Sequence, residues 1–449
     1  MWRLLRVLIL LACACPAALS AGPSLPLREE FELQRPAEVV AAIGTRCAAC
    51  DWGRPGREGV SLRLALDGRY ARHLVLARGG EAVSRVGLGA LAAGRHRLEI
   101  DLDAGASAAE AGPVEVTVVA IEAVERGDAR HPLLAHAPIL HARPNAIGRF
   151  SDVPLLVWVE QEPLPGGRRR LRYSAVFSNE DGGTPPDRLL ATWGRLTDLE
   201  YLYGVELAAD GRVLRAEFQG EGHVIQPFEG EREGDHPLLF VVTDNNMLAG
   251  SGESGVRYAP APAPFDLSGA SREAVMDSEP WTYRVSSLEV RREGRVAAAA
   301  RPGDGRIADP RRYLYLEACA ETRDVGLTFG AGLAAEQGPR FVDSDGGLGE
   351  LLVLRSPDHF PNGCFRSAVA LPEGARPEDV LALRFRAHTR PPREGEDPLP
   401  PGSGSARLLR VTKLFGLGPD HLPEPSLFSW EGELPLAPGG EPAELRVRP

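Results

Sequence analysis

The sequence predicts a mostly β chain built from several antiparallel sandwich or jelly-roll-like domains, and three observations carry that expectation. Apolar and polar residues alternate with period two along most of the chain. Turn residues recur at a spacing of about 8–12 positions, the rhythm of short strands. The 50 glycines and 39 prolines interrupt most helical candidates, so convincing helices are scarce.

"VSLRLALDGRY" is the clearest strand. It sets Val60, Leu62, Leu64 and Leu66 on one face and Ser61, Arg63, Ala65 and Asp67 on the other, and Asp67-Gly68 supplies a hairpin turn. "GRHRLEIDL" repeats the pattern through Leu98, Ile100 and Leu102, and "VEVTVVAIEAV" closes the region. Toward the C-terminus, "RRYLYLEACAE", "VGLTFGAGL", "VLALRFRAH" and "RLLRVTKLFGL" are strand candidates. At 449 residues the chain exceeds what one core usually supports. We therefore divide it into a leader over 1–21, an N-terminal β-sandwich over 28–126, a middle β domain over 127–262 and a C-terminal β domain over 272–449. The Pro/Ala-rich stretch "YAPAPAPFDLSGAS", Tyr258 to Ser271, is the expected linker before the last of these.

The leader reading rests on two arginines ahead of the apolar run Leu4 to Ala14, followed by small residues. That is a signal peptide and too short for a membrane span, with cleavage near Ser20 or Ala21. The alternative places Cys13 of "LLAC" as a lipidated residue of a membrane-anchored lipoprotein. Either way the mature chain is expected outside the cytoplasm, secreted or periplasmic, with no other stretch able to span a bilayer. In an oxidising compartment Cys47, Cys50, Cys319 and Cys364 can pair in three ways. Cys47 with Cys50 and Cys319 with Cys364 is preferred, because each pair then lies within one domain. "CAAC" is followed by "DWGRPG", which is turn chemistry and unlike the helix start of a redox pair.

A net charge of −11 argues against nucleic acid and against an anionic membrane surface as partners. Lysine occurs once, at Lys413, so neither a G-x-x-x-x-G-K phosphate loop nor an S-x-x-K nucleophile pair exists. The arginine-for-lysine bias reads as pressure from a GC-rich genome.

Three places remain as sites. In "TDLEYLYGVEL", Asp198 and Glu200 share one strand face, about 7 Å apart at their Cα atoms, with Leu199, Tyr201, Tyr203, Val205 and Leu207 on the other. The alternation itself favours acids that meet water above an inward apolar face; the sharper reading is a carboxylate pair that grips a divalent cation or divides acid and base roles. Five of the ten histidines, His131, His136, His141, His223 and His236, fall in the middle segment, but with no local ligand spacing, so any metal site would be assembled across strands. "LLFVVTDNNML" reads as a buried strand ending in Thr243, Asp244, Asn245 and Asn246, groups placed either for a ligand or for an Asx turn, the turn being the plainer reading. "FVDSDGGLGE", with Asp343, Asp345 and Glu350, lacks the spacing of a calcium loop and reads as a hairpin turn.

The Asp198-x-Glu200 pair, preceded by "HAPIL" from His136 and followed by "HPLLFVVTDNN" from His236, resembles secreted β-sandwich proteins of the necrosis-inducing type and their vacuolar-sorting-associated relatives. The resemblance covers the middle third. Their hallmark is a His-x-x-Asp-Trp-Glu-like motif whose acids and histidine hold a divalent metal, which implies Asp198 and Glu200 as ligands here. Leu199 stands in place of the tryptophan and Arg195 in place of the histidine. The leading functional expectation is an extracytoplasmic binding or structural protein of bacterial type, without enzymatic activity, with a glycan, envelope polymer or protein as ligand. The alternative is a metal-dependent hydrolase or metal-stabilised module centred on Asp198 and Glu200, with His136, His223 or Asp244 completing a divalent-cation site.

Overall fold

The computed structural model describes residues 25–448 apart from 181, 299, 301–302, 304, 337, 348–352, 355–362 and 393–394. The expected leader, Cys13 and Glu350 lie outside the described residues. The fold is mostly β and multidomain, as the alternation predicts.

The first seven strands are β1 (Leu27–Leu33), β2 (Ala37–Cys47), β3 (Val60–Leu66), β4 (Arg69–Leu76), β5 (Gly80–Leu91), β6 (Gly94–Leu102) and β7 (Glu115–Glu125). They form two sheets, ordered β1-β6-β3-β4 and β5-β2-β7. Val60, Leu62, Leu64, Leu98 and Ile100 enter the core between them, whereas Leu102, at the end of its strand, stays 43% exposed. Asp67 and Gly68 both adopt positive φ, 51° and 76°, the backbone that a two-residue hairpin turn demands.

The middle region opens with α1 (His131–Ala135), β8 (Ile139–His141), β9 (Pro154–Pro163), β10 (Arg169–Phe177), α2 (Pro186–Trp193), β11 (Asp198–Leu207) and β12 (Val213–Gln219). It continues through β13 (Ile225–Pro227), β14 (Arg232–Glu233), β15 (His236–Val241), β16 (Leu248–Ala249), β17 (Arg257–Tyr258) and β18 (Ala263–Pro264). A six-stranded sheet, β13-β12-β11-β10-β9-β18, faces a smaller one, β14-β15-β8-β17, with β16 on β15. Aliphatic and aromatic side chains fill the space between them. The expected linker is extended but not a free tether. Gly87 donates to the Ala259 carbonyl at 2.8 Å and Ala261 to that of Arg85 at 3.0 Å, while Ala263 and Pro264 run parallel to Trp158 and Val159. The stretch therefore stitches the first sandwich to the middle sheet.

Two helices follow, α3 (Val275–Ser278) and α4 (Trp281–Arg292). The last strands are β19 (Tyr313–Arg323), β20 (Val325–Leu333), β21 (Arg340–Asp343), β22 (Val353–Leu354), β23 (Cys364–Ala370), β24 (Val380–Thr389), β25 (Ser405–Phe415), β26 (Trp430–Leu436) and β27 (Ala443–Arg446). They pair as β23-β19-β25-β26 and β21-β20-β24-β27, with β22 beside β20, around a single apolar core. Asp343 ends β21 paired with Arg384 at 2.6 Å, and Gly346 donates to its carbonyl, so "VDSDGG" is a turn. The sulfurs of Cys47 and Cys50 lie 1.92 Å apart and those of Cys319 and Cys364 2.12 Å apart, the preferred pairing. No helix among the described residues is long and apolar enough to cross a membrane.

Helix α4 is the wall all three regions share. The Trp52 indole, from the turn after Cys50, donates to Glu289 at 2.7 Å; Arg292 donates to the carbonyls of Trp52 and Phe150; Asn179 at the end of β10 donates to Glu293 at 3.0 Å. Glu289 is fully buried, and that burial raises its carboxyl from 4.5 to about 8. The folded state thus holds this proton more tightly than the unfolded chain. Its stabilising contribution is complete below 4.5 and is lost as pH rises through about 8. Buried His136, His141 and His421 act in the opposite sense: lowered from 6.5 to about 4, they cost stability as pH falls between those values. Glu289→Gln, which keeps an acceptor for Trp52, should flatten the fall in melting temperature between pH 6.5 and 8 and steepen its rise between pH 4.5 and 6.5, where the Glu289 and histidine effects oppose each other, as read by thermal unfolding in a pH series.

Candidate functional site

β11 does not have a wet face. Asp198 is 1% and Glu200 8% exposed, because the sheet is covered on both sides. Leu199 packs beside Trp158 against Val275 and Met276 near α3, so the neighbouring acids project toward the β15 sheet. The expectation that they meet water is corrected. So is the alternation beyond them. Along β10, Tyr173 pairs with Tyr203 and Ser174 with Tyr201, so β11 carries a bulge at Leu202. Past the bulge the faces exchange: Leu202 and Tyr203 both enter the core, while the Tyr201 ring lies over Gly204 with its hydroxyl 3.5 Å from Glu217.

The ends of several elements converge where Asp198 sits. Asn246, fully buried after β15, donates from Nδ2 to Asp198 Oδ2 at 3.0 Å, to the Asn179 carbonyl at 3.3 Å and to Asp152 Oδ1 at 3.4 Å. Its Oδ1 has no hydrogen-bond partner among the described residues. The turn before it is the local one the sequence suggests, Thr243 donating to Asn245 Oδ1 and accepting from the Met247 N–H, but Asn246 itself turns inward, at φ 57°. Asp152, just before β9, accepts from Arg143, whose second arm reaches Asp244. Ser151 donates to Asn179 Oδ1 at 3.0 Å. Arg195 stands 3.7 Å from Asp198 and 3.5 Å from Glu273.

Glu200 accepts from Gln219 at the end of β12 and lies 3.9 Å from His223 Nδ1. Burial raises Asp198 above the usual carboxylate range, opposed by the Arg195 charge and the Asn246 hydrogen bond, while burial first, and the Asp198 charge second, push Glu200 well above it. Glu200 is therefore the member of the pair that holds a proton at neutral pH, since Asp198 has Asn246 and Arg195 facing it. Glu180, 8% exposed, joins them: burial and then Asp198 raise it from 4.5 to about 7. Gly183 leaves room for the Glu180 carboxylate, which a Cβ there would displace.

Of the residues singled out in the sequence, Asp198, Glu200 and His223 come together. Asp244, its side chain 61% exposed, reaches the cluster only through Arg143 and Asp152. His136 does not belong: it lies beside Asp235 and His236, at the opposite end of β15 from Asn246, and burial lowers it to about 4. Among the described residues no three His, Cys, Asp or Glu side chains are arranged to hold a metal ion. Glu180, Asp152, Arg143 and Gln219 were not singled out. One signal pointed to the place: three of the five asparagines, Asn179, Asn245 and Asn246, end here, in a chain that otherwise spends asparagine sparingly. Searched against family models and against curated proteins, the chain matches none.

The arrangement offers carboxylate and amide acceptors on rigid strand ends, with two protons available near neutrality. Removing the amide should unpair a buried carboxylate. Asn246→Gly, which keeps the left-handed backbone free of strain, should lower unfolding stability by about 1–3 kcal/mol in urea. In an Asp198→Asn background the loss should shrink, and a double-mutant cycle measures the coupling.

Proposed function

We propose that the protein is an extracytoplasmic binding protein of bacterial type, secreted or held in the envelope, whose ligand is a glycan or other hydroxyl-rich surface polymer bound at this end of the middle domain. The observation that carries the reading is the pairing of an acceptor-rich rim with exposed apolar side chains. Val224, Ile225 and Val242 are 59%, 47% and 45% exposed, and the main chain brings them to one edge: Gly220 donates to the Val224 carbonyl across the β12–β13 turn and bridges Leu248, while Val242 donates to the Met247 carbonyl. Asp244, Asn245 and His223 border that edge. Sugars present hydroxyl donors on one side and C–H surface on another, the complement of this rim. The leader sequence and the two bonded cysteine pairs support an oxidising location.

A second reading has its own observation. The unpaired Asn246 Oδ1, in a cluster with Asp198, Glu200 and Glu180, is an oxygen a divalent cation would use, and the resemblance to metal-holding β-sandwich proteins points the same way. The residues fit such an ion poorly as they stand. Asp198 and Glu200 are spent on Asn246 and Gln219, and Arg195 occupies the position of the expected histidine.

Binding to envelope polysaccharide fractions, read by affinity electrophoresis or calorimetry, tests the first reading. Val224→Asp and Val242→Asp should abolish binding with the melting temperature unchanged; binding indifferent to both would sink it. A chelator should leave the melting temperature where it is. A fall of several degrees, reversed by calcium, magnesium, manganese or zinc and absent in Glu200→Gln, would install the metal reading instead.

A further inference from the structure

A cavity of about 370 Å³, lined by none of Asp198, Glu200, Glu180 and Asn246, lies where the first sandwich, the middle sheet and α4 meet. Leu74 and Val86 form one wall, Leu155 another, Pro260 of the stitched stretch a third, and the Trp281 indole at the start of α4 a fourth. Val83 stands at its margin, 56% exposed. The volume falls within the range of small-molecule sites, about 300–1,000 Å³, and a junction between domains is where such sites concentrate.

The lining is mainly apolar, and its charged groups are Arg78, Arg85 and Glu279, of which Arg85 is paired with Glu122 at 2.6 Å. Arg78 lies half-buried with its guanidinium 4.6 Å from the Trp281 ring centre, and it donates to the Val83 carbonyl at 2.6 Å. It forms no ion pair among the described residues. Glu279, the nearest acid, is engaged by the Trp281 indole N–H at 2.6 Å. Partial burial lowers the Arg78 pKa, the mark of a cation that water and counter-charge do not fully compensate. Guanidinium stacked on indole is also held in a fixed plane, ready for a bidentate partner.

We propose that this cavity is a binding site for a medium-chain monocarboxylate, its apolar body packed between Leu74, Leu155, Pro260 and Trp281 and its carboxylate paired with Arg78. A phosphate or sulfate alone would leave the apolar walls unused, and a neutral hydrocarbon would leave Arg78 uncompensated. The occupant would touch all three regions at once, so its binding should stiffen their junction.

Calorimetry on the mature chain with decanoate and decan-1-ol tests this. Decanoate should bind saturably at one per chain, more tightly than the alcohol, and raise the melting temperature. Arg78→Gln should weaken decanoate about tenfold and leave decanol unchanged, since a charge-assisted hydrogen bond is worth about that factor. Val83→Trp, at an exposed position on the margin, should weaken both ligands without affecting the fold. The proposal is overturned if neither ligand saturates, if decanoate is indifferent to Arg78→Gln, or if Val83→Trp leaves both affinities intact.

Discussion

A buried carboxylate must find a donor, and in this chain the middle domain is arranged around how Asp198 finds one. Asn246 is the donor. Its amide also reaches the Asn179 carbonyl and Asp152, so a single side chain fixes the turn after β15 to the end of β10, the start of β9 and the start of β11. Asn179 passes the constraint on to Glu293 at the end of α4, and Arg143 passes it from Asp152 to Asp244 at the surface. Such a network is stiff because every member restricts the next, and costly to breach, because a buried group left unsatisfied loses its hydration without replacement.

Helix α4 extends the same logic between domains. It is short and polar on much of its surface, yet Thr282, Ser286, Ser287 and Glu289 are buried along with its apolar residues, since three separate β bodies close around it. Trp52 and Phe150 pack edge to face beside it, and Arg292 tethers the carbonyls of both. A helix with partners on most of its sides, leaving only the Arg284–Arg291 face exposed, needs no continuous apolar stripe. That is why its periodicity is weak in the sequence. The junction leaves a cavity because rigid sheets meeting one short helix and a proline-rich strand cannot interdigitate as closely as a single core does.

The existence of the strands was legible from the alternation of residue types. β3 forms and turns at Asp67-Gly68, although Ser61 and Ala65 on its expected polar face are buried and only Arg63 is exposed, and the four C-terminal candidate segments all form strands, β19, β20, β24 and β25. Where both faces are covered the rule loses its premise. Asp198 and Glu200 were assigned to solvent because acids on an alternating strand usually go there, but α3 covers the side that Leu199 takes and the β15 sheet covers theirs. The bulge at Leu202 adds a second failure that no period can anticipate, since one extra residue exchanges the faces and separates Tyr201 from Tyr203. Asn246 was visible only as a rare residue. Its inward turn depends on a left-handed backbone and on partners far away in sequence, Asp152, Asn179 and Asp198. His136 illustrates the converse: capping α1, it is buried at the opposite end of β15 from Asp198 and Glu200, with Asp235 as its neighbouring acid.

What remains is why so many carboxyls are gathered in one interior. Replacing a buried charge network with well-packed apolar residues is often neutral or stabilising, so structure alone does not require Glu180, Asp198 and Glu200 together. The Asp198 charge raises the proton affinity of Glu180 and Glu200, and the set is tolerated because Asn246, Gln219 and Arg195 supply donors and because Glu200 keeps its proton. The burden falls on the rigid ends of strands, next to exposed valines, rather than in the middle of a core. A cluster that stores unfavourable electrostatics beside an accessible rim favours whatever supplies hydrogen-bond donors or positive charge from outside. That bias holds for a hydroxyl-rich polymer and for a cation alike, and it is the physical content shared by the two readings of the site. They part on whether Asp198 and Glu200 serve as the floor beneath the ligand or as its direct partners.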